Sequence, residues 1–443
     1  MIEVDYIVEG DYILTMDYDF SILRDSSLVI KDDKILDVCK INDVSSKYIY
    51  KKIIKKRKNV ILPGLINTHT HAAMVYFRGL ADDLPLKEWL EKYIWPAENS
   101  LLNPKFVYDA VGLACLEMLK AGITTYNDMY FFEDAAGEIT KKIGMRAVLG
   151  AGVLDFPSVS AKTSDEYLEN AKMFISNWLN DDLILPSVAP HALYTCSSDT
   201  LKKSKALAER YDVPLHIHLS ETRWEVDNII ERYEKRPVEY LDSIGFLDKR
   251  VIAAHCVWLD DNEIELLAKR DVSVSHCVES NLKLASGFAP IAKMISSGVR
   301  VTFGTDGAAS NNDLNILSEI STTAKLQKAL NNSPTVLDAK TVLLMATRWA
   351  AESLGLGEKI GTLEKGKKAD IISITLDKPH LTPIYDICSH IVYSAMASDV
   401  NMVMVNGKLI IDDGRLLTYD EFEILDKSKA WNELIIKQLK LQN

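Results

Sequence analysis

Two histidines separated by one residue follow an apolar run and a Pro-Gly turn. Val60-Ile61-Leu62 precedes Pro63-Gly64, and the segment continues to His69-Thr70-His71. In an extended strand, residues two positions apart point to the same face, so both imidazoles would lie on one side. Two adjacent imidazoles supply half of a transition-metal site. Because H-x-H is a short pattern that also occurs in exposed loops, the other histidines decide between these interpretations.

Most of the remaining histidines also follow apolar segments that are typical of strands. They are His191, His216, His218, His255 and His276, and Asp306 follows the last segment of this kind. With His69 and His71, these residues mark the carboxyl ends of predicted strands one and four to eight. Barrel enzymes assemble their active sites at that end of the strands. We therefore expect one site at this rim, whereas His380 and His390 lie elsewhere in the sequence.

The residue types at this rim predict metal-assisted hydrolysis. His69, His71, His218 and Asp306 would give three nitrogens and one oxygen to Zn²⁺ or Fe²⁺ and leave a position for water, whose pKa a divalent ion lowers toward about 7. Glu221, three residues after His218, is the expected general acid/base; the alternative is a carboxylate at a helix start. His255 is expected beside the reacting oxygen, or alternatively as a further ligand of a two-metal site. We assign no role to His276, and His216 is either inward-facing or a residue that supports a ligand.

The elements that would position these groups alternate between strands and helices from residue 59 to 359. Eight such strand–helix units over about 300 residues predict an α/β fold, a TIM-type (β/α)8 barrel, with its first strand over Val60–Ile66. Residues 1–58 and 360–443 have the texture of short strands instead, and Asn406-Gly407 is a hairpin signal. We expect these two segments to form one discontinuous β-sandwich domain, followed by a helix over about 421–440.

Composition excludes several classes of protein. The chain has 443 residues, of which 47% are hydrophobic and 26% are charged, and its net charge is −12, which disfavours a nucleic-acid partner. Its six cysteines are scattered without a C-x-x-C pair, which favours reduced thiols in the cytoplasm. The acidic start, Met1-Ile2-Glu3-Val4-Asp5, lacks a signal-peptide layout, and no apolar stretch approaches the roughly 20 residues of a membrane span. We expect a soluble cytoplasmic protein with no membrane partner.

Five motifs together resemble the amidohydrolase superfamily, and within it the methylthioadenosine/S-adenosylhomocysteine deaminases and related chlorohydrolases. These motifs are His69-Thr70-His71, His218-Leu219-Ser220-Glu221-Thr222, Ala254-His255-Cys256-Val257-Trp258-Leu259, Ser280-Asn281-Leu282-Lys283-Leu284-Ala285-Ser286-Gly287 and Gly304-Thr305-Asp306-Gly307-Ala308-Ala309-Ser310-Asn311. The resemblance covers nearly the whole chain. It implies one divalent metal ion, zinc or alternatively iron, held by His69, His71, His218 and Asp306, and a homo-oligomer.

The resemblance also implies a reaction. A water activated by the ion attacks C6 of an adenine ring while Glu221 protonates N1. His255 stabilises the attacking oxygen, and Asp306 passes its proton to the departing ammonia. The implied substrates are small nucleosides (5′-methylthioadenosine, S-adenosylhomocysteine, adenosine or 5′-deoxyadenosine), each converted to its inosine analogue.

Further residues match substrate-binding positions of the family. The resemblance places Glu98 on the ribose hydroxyls, Trp89 beside the ligand, His191 near ribose and purine, Ser310 near the ring, and Arg146 on the carboxylate of a homocysteine tail. Each residue also has a simpler alternative role. Trp89 and Trp95 would only pack within a lid helix, and Arg146 would form a surface ion pair. The connection of about 35 residues after strand one is long enough to predict such a lid.

One part of the family pattern is missing. The segment from Val153 to Lys162 holds no second arginine for the tail, although Lys162 would be a weaker substitute. Phe156 and Pro157 in this segment would suit a less polar 5′ group, which favours methylthioadenosine, adenosine or 5′-deoxyadenosine over S-adenosylhomocysteine.

Three other functions remain open from the sequence. A deaminase or chlorohydrolase of another N-heterocycle (guanine, cytosine or a triazine) would keep the same metal set. A binuclear hydrolase of this fold commonly uses a carbamylated lysine at the end of strand four, but Ala189-Pro190-His191-Ala192 contains none. A non-catalytic assembly subunit would be expected to have lost ligands, and this chain keeps the full proposed set.

Overall fold

The computed structural model describes residues 1–56 and 58–441; Arg57, Gln442 and Asn443, which fall within the predicted β-domain segments, lie outside the described residues. The strands are β1 (Ile2–Leu14), β2 (Ile22–Lys31), β3 (Lys34–Lys40), β4 (Tyr48–Lys55), β5 (Asn59–Pro63), β6 (Leu65–Thr70), β7 (Ile123–Tyr130), β8 (Arg146–Val153), β9 (Ile184–Pro190), β10 (Leu215–Leu219), β11 (Val251–His255), β12 (Ser273–His276), β13 (Arg300–Phe303), β14 (Ile371–Thr375), β15 (Val400–Val405), β16 (Lys408–Asp412) and β17 (Arg415–Leu416).

The α-helices are α1 (Ile41–Lys47), α2 (Leu86–Trp89), α3 (Trp95–Leu101), α4 (Pro104–Lys120), α5 (Glu133–Ile143), α6 (Ser164–Trp178), α7 (Ser198–Tyr211), α8 (Arg223–Tyr233), α9 (Pro237–Ser243), α10 (Asp261–Lys269), α11 (Val278–Lys283), α12 (Ile291–Ser296), α13 (Ile316–Leu330), α14 (Ala339–Met345), α15 (Arg348–Ser353), α16 (Ile387–Tyr393) and α17 (Glu421–Leu439). Short 3-10 helices cover Ala72–Phe77, Pro379–Leu381 and Ala397–Asp399, and a π-helical turn covers Leu90–Ile94. Among the described helices, none combines the length and the apolar character that a membrane crossing requires.

The strands form two sheets. Strands β6 to β13 make an eight-stranded parallel sheet in sequence order, with the helices between them, as the predicted (β/α)8 barrel requires. The first and last strands of this sheet meet, since the Thr68 hydroxyl donates to the carbonyl of Phe303 over 2.9 Å and the Asp306 amide donates to the carbonyl of His69 over 3.0 Å. This closure brings the ends of all eight strands together at one rim.

The second sheet joins the two ends of the chain. Its nine strands run in the order β17-β16-β15-β14-β5-β1-β2-β3, with β4 also paired to β1. Strand β14 pairs antiparallel with β5, so segments from the two ends of the chain join in a single mixed sheet, as the predicted fold class requires. Its two halves share one apolar core, in which Leu28 and Ile30 contact the same cluster as Met402 and Met404. The predicted hairpin at Asn406-Gly407 connects β15 to β16.

The predicted first barrel strand is wrong in its limits. Residues Asn59–Pro63 belong to the mixed sheet, and only Leu65–Thr70 belongs to the barrel. Gly64 separates the two strands at a point where a Cβ would collide with the side chain of Thr124. The apolar run therefore crosses from one sheet into the other, and the change of sheet occurs at Gly64 rather than at residue 58.

A lid covers the rim between β6 and α4. Helix α2, the π-helical turn and α3 follow one another without interruption over residues 86–101. π-Helical turns inside helices are frequent at functional sites. The C-terminal helix α17 braces this region: Gln438 donates to the carbonyl of Ser100 over 2.6 Å, and the Trp431 indole donates to Asp109 on α4 over 3.0 Å. The lid is thus held in place by the far end of the chain.

Candidate active site

Four predicted ligands meet at the rim. His69 lies on β6, His71 directly after it, His218 on β10 and Asp306 after β13. The Nε2 atoms of His71 and His218 are 3.2 Å apart, and Asp306 Oδ1 lies 3.4 Å from His69 Nε2 and 3.3 Å from His71 Nε2. Two ligand atoms about 2.1 Å from a tetrahedral zinc ion would be about 3.4 Å apart. These three distances match the ligand spacing of a single ion. The ligand atoms of His69, His71 and Asp306 lie within 4.8 Å of one another, as do those of His69, His218 and His255, so His255 borders the same point.

The hydrogen bonds of the Nδ1 atoms leave the Nε2 atoms of His71 and His218 as free acceptors for a cation. His71 Nδ1 lies 2.7 Å from the carbonyl of Met129, and His218 Nδ1 lies 2.8 Å from the carbonyl of His191. Since a carbonyl only accepts, both Nδ1 atoms carry the proton and both Nε2 atoms present lone pairs to the same point. His69 Nε2 is buried without a hydrogen-bond partner among the described residues. A divalent metal ion would satisfy all of these groups at once.

His216 supports His69 from below. Its Nε2 lies 2.9 Å from His69 Nδ1, and both side chains are fully buried. Burial, together with the nearby imidazoles, lowers the pKa of His216 well below its usual value, so its ring is neutral. For His69 to present Nε2 to a metal, its Nδ1 must donate to His216 Nε2. His276, by contrast, is buried at the end of β12 with neither ring nitrogen paired within the described chain.

Asp306 is held in place by two hydroxyls and an amide. Its Oδ2 accepts from Ser280 over 2.6 Å and from Ser310 over 2.8 Å, and its Oδ1 accepts from the Gly307 amide over 2.8 Å. Burial opposes ionisation, but the imidazoles of His69, His71 and His255 outweigh it and hold the pKa of Asp306 well below its usual range. Ser310 was expected near the substrate ring; the structure places its hydroxyl on Asp306 instead.

Glu221 and His255 face each other beside this cluster. Glu221 Oε2 lies 3.8 Å from His255 Nε2, and His255 Nδ1 lies 2.9 Å from Asn281 Oδ1. The carboxylate of Glu225 accepts from the amides of Ser220 and Glu221 over 2.9 and 2.8 Å, which fixes the backbone that carries Glu221. His255 has a φ of 71°, a strained conformation of the kind that persists where surrounding contacts impose it.

Burial and neighbouring charges together set the pKa values of Glu221 and His255. It raises the pKa of Glu221, since desolvation outweighs the effect of the His255 imidazole. Burial alone would lower the pKa of His255, but the carboxylates of Glu221 and Asp306 overcome this effect and raise it. A carboxyl group with a raised pKa beside an imidazole is an arrangement that can both donate and accept a proton near neutral pH.

A cavity of about 320 Å³ opens from these groups toward the lid. Trp89, Glu98 and His191, to which the family resemblance gave substrate-binding roles, line it. Glu98 is buried on α3 and accepts a hydrogen bond from the Tyr130 hydroxyl over 2.6 Å. Burial raises the pKa of Glu98 to about 7, despite the opposing effect of that hydrogen bond. Trp95, weighed above as lid packing, also faces the cavity.

The prediction for Arg146 is wrong. It is the first residue of β8, at the amino end of the strand, whereas the cavity lies at the carboxyl ends. Its guanidinium binds the Asp370 carboxylate through Nε at 2.8 Å and Nη2 at 3.2 Å, and donates to the carbonyl of Asp182 over 2.7 Å. Arg146 therefore joins the barrel to the mixed sheet and is not available to a substrate. The alternative of an ion pair was correct, but the pair is buried rather than exposed.

Several site residues were not singled out from the sequence. Tyr130 and Met129, which contact Glu98 and His71, end strand β7, and the strand-end position used for the histidines was a signal that applied to them too. Asn281 and Ser280 lie inside a motif that was recognised, but their partners were not predicted. Glu225 carries the signal of a carboxylate in the first turn of a helix, which alone does not reveal its two backbone partners.

Known proteins share this architecture over almost the entire chain. The amidohydrolase family pattern matches residues 60–410. A 5-methylthioadenosine/S-adenosylhomocysteine deaminase from Thermodesulfovibrio yellowstonii is 56% identical over 410 residues, which are 92% of this chain and 93% of that protein. A 5′-deoxyadenosine deaminase from Methanosarcina acetivorans is 45% identical over 411 residues, 92% and 93% of the two chains. The crystal structure of an adenosine deaminase from Xanthomonas campestris with bound zinc is 37% identical and superposes with a TM-score of 0.97, covering 98% and 99% of the two chains.

Proposed function

We propose that this chain, which belongs to the amidohydrolase family, hydrolyses the 6-amino group of adenosine and its 5′-modified analogues, releasing ammonia and the inosine analogue. The observation that carries the proposal is the pairing of two features in one cavity. A three-histidine and aspartate cluster with the Glu221–His255 pair lies at its base, and the buried Glu98 carboxylate lies on its lid. The names of the similar proteins support the same substrate class.

His69, His71, His218 and Asp306 would hold one divalent ion, and zinc is the proposed metal because the similar Xanthomonas structure contains it. When bound, such an ion supplies a water of lowered pKa as the nucleophile. The remaining steps belong to side chains of this chain. None of Glu221, His255 or Glu98 is needed as a ligand, so all three are free to act on the substrate.

Proton transfer is assigned to three groups. Glu221, whose pKa is raised by burial, would take one proton of the attacking water and donate it to the ring nitrogen next to the reacting carbon, where the inosine product keeps it. His255, oriented by Asn281, places Nε2 where it stabilises the negative charge that develops on the attacking oxygen. Asp306, kept ionised by the surrounding imidazoles, accepts the proton of that oxygen and delivers it to the leaving ammonia.

Binding of the nucleoside is assigned to the lid. As a carboxylate, Glu98 can accept hydrogen bonds from two vicinal hydroxyls, which a ribose offers and a free base or triazine does not. Trp89 supplies an apolar wall and His191 a polar contact on the barrel side of the cavity. Glu98 thus favours a nucleoside over guanine, cytosine or a triazine, and the complete ligand set favours an enzyme over a non-catalytic assembly subunit.

The remaining proposals concern context. All six cysteines are free thiols, which supports a reducing location such as the cytoplasm. A small nucleoside is the proposed partner, and a homo-oligomer is proposed from the family resemblance.

The test is ammonia release by metal-replete protein from adenosine, 5′-methylthioadenosine, 5′-deoxyadenosine, guanine and cytosine, each with and without a chelator. Chelator-sensitive turnover of the adenosines is expected. Glu221→Gln should lose about 10²- to 10⁴-fold in kcat while retaining its metal content, because Glu221 moves a proton without being a ligand. Glu231→Gln, an exposed change on helix α8, which begins two residues after Glu221, is the control and should match the wild type. A fully active Glu221→Gln variant would remove the proposed acid/base, and turnover of a free base alone would remove the role of Glu98.

A further inference from the structure

We infer that this cavity is built for adenosines whose 5′ substituent is small or apolar, and that it discriminates against the charged amino-acid tail of S-adenosylhomocysteine. The inference rests on the proposed function and narrows its substrate class. It is carried by the composition of the wall next to Glu98 and by the distribution of cations around the cavity. The two sets of similar proteins bear names that differ on this point, one including S-adenosylhomocysteine and the other 5′-deoxyadenosine.

The position of the 5′ group follows from the two ends of the nucleoside. The adenine ring must reach Glu221 and the metal cluster, and the ribose hydroxyls must reach Glu98 on the lid. The 5′ carbon is attached to the ribose ring next to the carbon that bears the 3′ hydroxyl, so its substituent leaves the ribose close to Glu98. The 5′ substituent therefore contacts the part of the cavity wall that lies beside helix α3.

That part of the wall is mainly apolar. The loop after β8 contributes Leu154, Phe156, Pro157 and Val159 to the cavity, with the uncharged polar side chains of Ser158 and Asn99 beside them. The ring of Phe156 lies 5.6 Å from the ring of Trp95, which starts helix α3 three residues before Glu98. A methylthio or methyl group would lose water and gain dispersion contacts against these side chains. A carboxylate would lose water without gaining a lysine or arginine among the lining residues.

The described cavity lining offers no lysine or arginine to the carboxylate of a longer tail. Within the part of the chain that the structure describes, the cavity is lined by the carboxyl groups of Glu98, Glu221 and Asp306 and by no lysine or arginine. Lys162 is exposed and lies outside the lining. Lys87, at the mouth, already lies 5.1 Å from the centre of the Trp224 ring and 3.9 Å from Glu91.

The decisive experiment compares kcat/KM for adenosine, 5′-methylthioadenosine, 5′-(butylthio)adenosine and S-adenosylhomocysteine on the metal-replete enzyme. The butylthio compound matches the homocysteine tail in length but carries no charge. We expect S-adenosylhomocysteine to be at least about 30-fold poorer than 5′-methylthioadenosine, and the butylthio compound to fall within about fivefold of it. S-adenosylhomocysteine within threefold of 5′-methylthioadenosine would overturn the inference. A butylthio compound as poor as S-adenosylhomocysteine would also overturn it, since length rather than charge would then decide.

A pair of variants tests the wall itself. Phe156→Arg would place a guanidinium where the tail is expected, and should raise the ratio of kcat/KM for S-adenosylhomocysteine over 5′-methylthioadenosine at least tenfold. Phe156→Met, which keeps the wall apolar, is the control and should leave that ratio unchanged. An unchanged ratio in Phe156→Arg would overturn the assignment of this wall to the 5′ group. Adenosine distinguishes failure of the inference from failure of the proposed function. If adenosine is turned over and 5′-methylthioadenosine and S-adenosylhomocysteine have equal kcat/KM, the inference alone is rejected. If adenosine is not turned over, the proposed function is rejected and the inference with it.

Discussion

Replacing Arg146 should lower stability without changing substrate preference. The Arg146 and Asp370 side chains are 3% and 2% exposed, and Asp370 also accepts from the Asn406 amide over 2.7 Å. Arg146→Met preserves the length of the side chain but leaves a buried carboxylate without its cation. Breaking a buried ion pair in this way costs about 3–5 kcal/mol. The lost pair is one of the contacts by which strand β8 of the barrel holds the mixed sheet.

The size of the effect can be given as a melting temperature. An unfolding entropy of about 2.1 cal/mol/K per residue gives about 0.9 kcal/mol/K for the whole chain, so 3–5 kcal/mol corresponds to a fall of about 3–5 °C for cooperative unfolding. Thermal unfolding followed by circular dichroism measures it. The double variant Arg146→Met/Asp370→Asn is the matched control and should recover part of the loss, because it leaves no unpaired buried charge.

The kinetic arm decides between the structural and the substrate-binding role. At a temperature well below unfolding, kcat/KM for 5′-methylthioadenosine and for S-adenosylhomocysteine should each stay within about twofold of the wild type, because Arg146 is at the opposite end of the barrel from the cavity. A wild-type melting temperature combined with a selective loss of S-adenosylhomocysteine turnover would refute this reasoning and restore the role that the family resemblance gave to Arg146.

Two further predictions concern the metal and the ribose. His216→Leu should weaken zinc binding about 10- to 100-fold in a chelator competition, because His69 loses the acceptor that fixes its tautomer. His276→Leu, the control, replaces a buried histidine outside this contact and should bind zinc normally. Equal losses in both variants would contradict the role of His216. Because burial raises the pKa of Glu98 to about 7 and only the carboxylate accepts from both ribose hydroxyls, the ratio of kcat/KM for adenosine over 2′,3′-dideoxyadenosine should fall up to about tenfold per pH unit below pH 7 and be flat in Glu98→Gln. A ratio independent of pH in the wild type would exclude Glu98 as the ribose acceptor.

The meeting of the proposed ligands at one rim was predictable because it follows from strand direction. In a parallel barrel every strand contributes its carboxyl end to the same rim, so His69, His218 and Asp306 could be brought together without knowing any contact between them. The contacts that tune these ligands were not predictable in this way. Met129, His216 and Asn281 act through single hydrogen bonds between residues that are 26 to 147 positions apart, and no local pattern encodes such a pairing.

Two sequence predictions were wrong, each for its own reason. The run from Val60 to Ile66 is apolar throughout because it is buried on both sides in two successive sheets, so its composition does not show where one sheet ends. Only Pro63-Gly64 marks the crossing, and the pattern was read as a single strand. Arg146 begins a strand in the same barrel, and strand direction, which located the histidines correctly, places it at the far end. The family resemblance implies a substrate contact for Arg146, whereas strand direction places this residue away from the cavity.

The proposed metal dependence and the proposed substrate preference rest on the same distribution of charge. The described lining of the cavity combines three carboxyl groups with imidazoles whose lone pairs converge, and it contains no lysine or arginine. At its base, a divalent cation would be stabilised by the carboxylate of Asp306 and by the converging Nε2 atoms. At its lid end the same lack of cations is not compensated, so the carboxylate of a zwitterionic amino-acid tail would meet no lysine or arginine beside a wall of phenylalanine, proline and valine. We therefore expect a cavity whose only added positive charge would be the proposed metal ion to accept a neutral 5′ substituent more readily than a charged one.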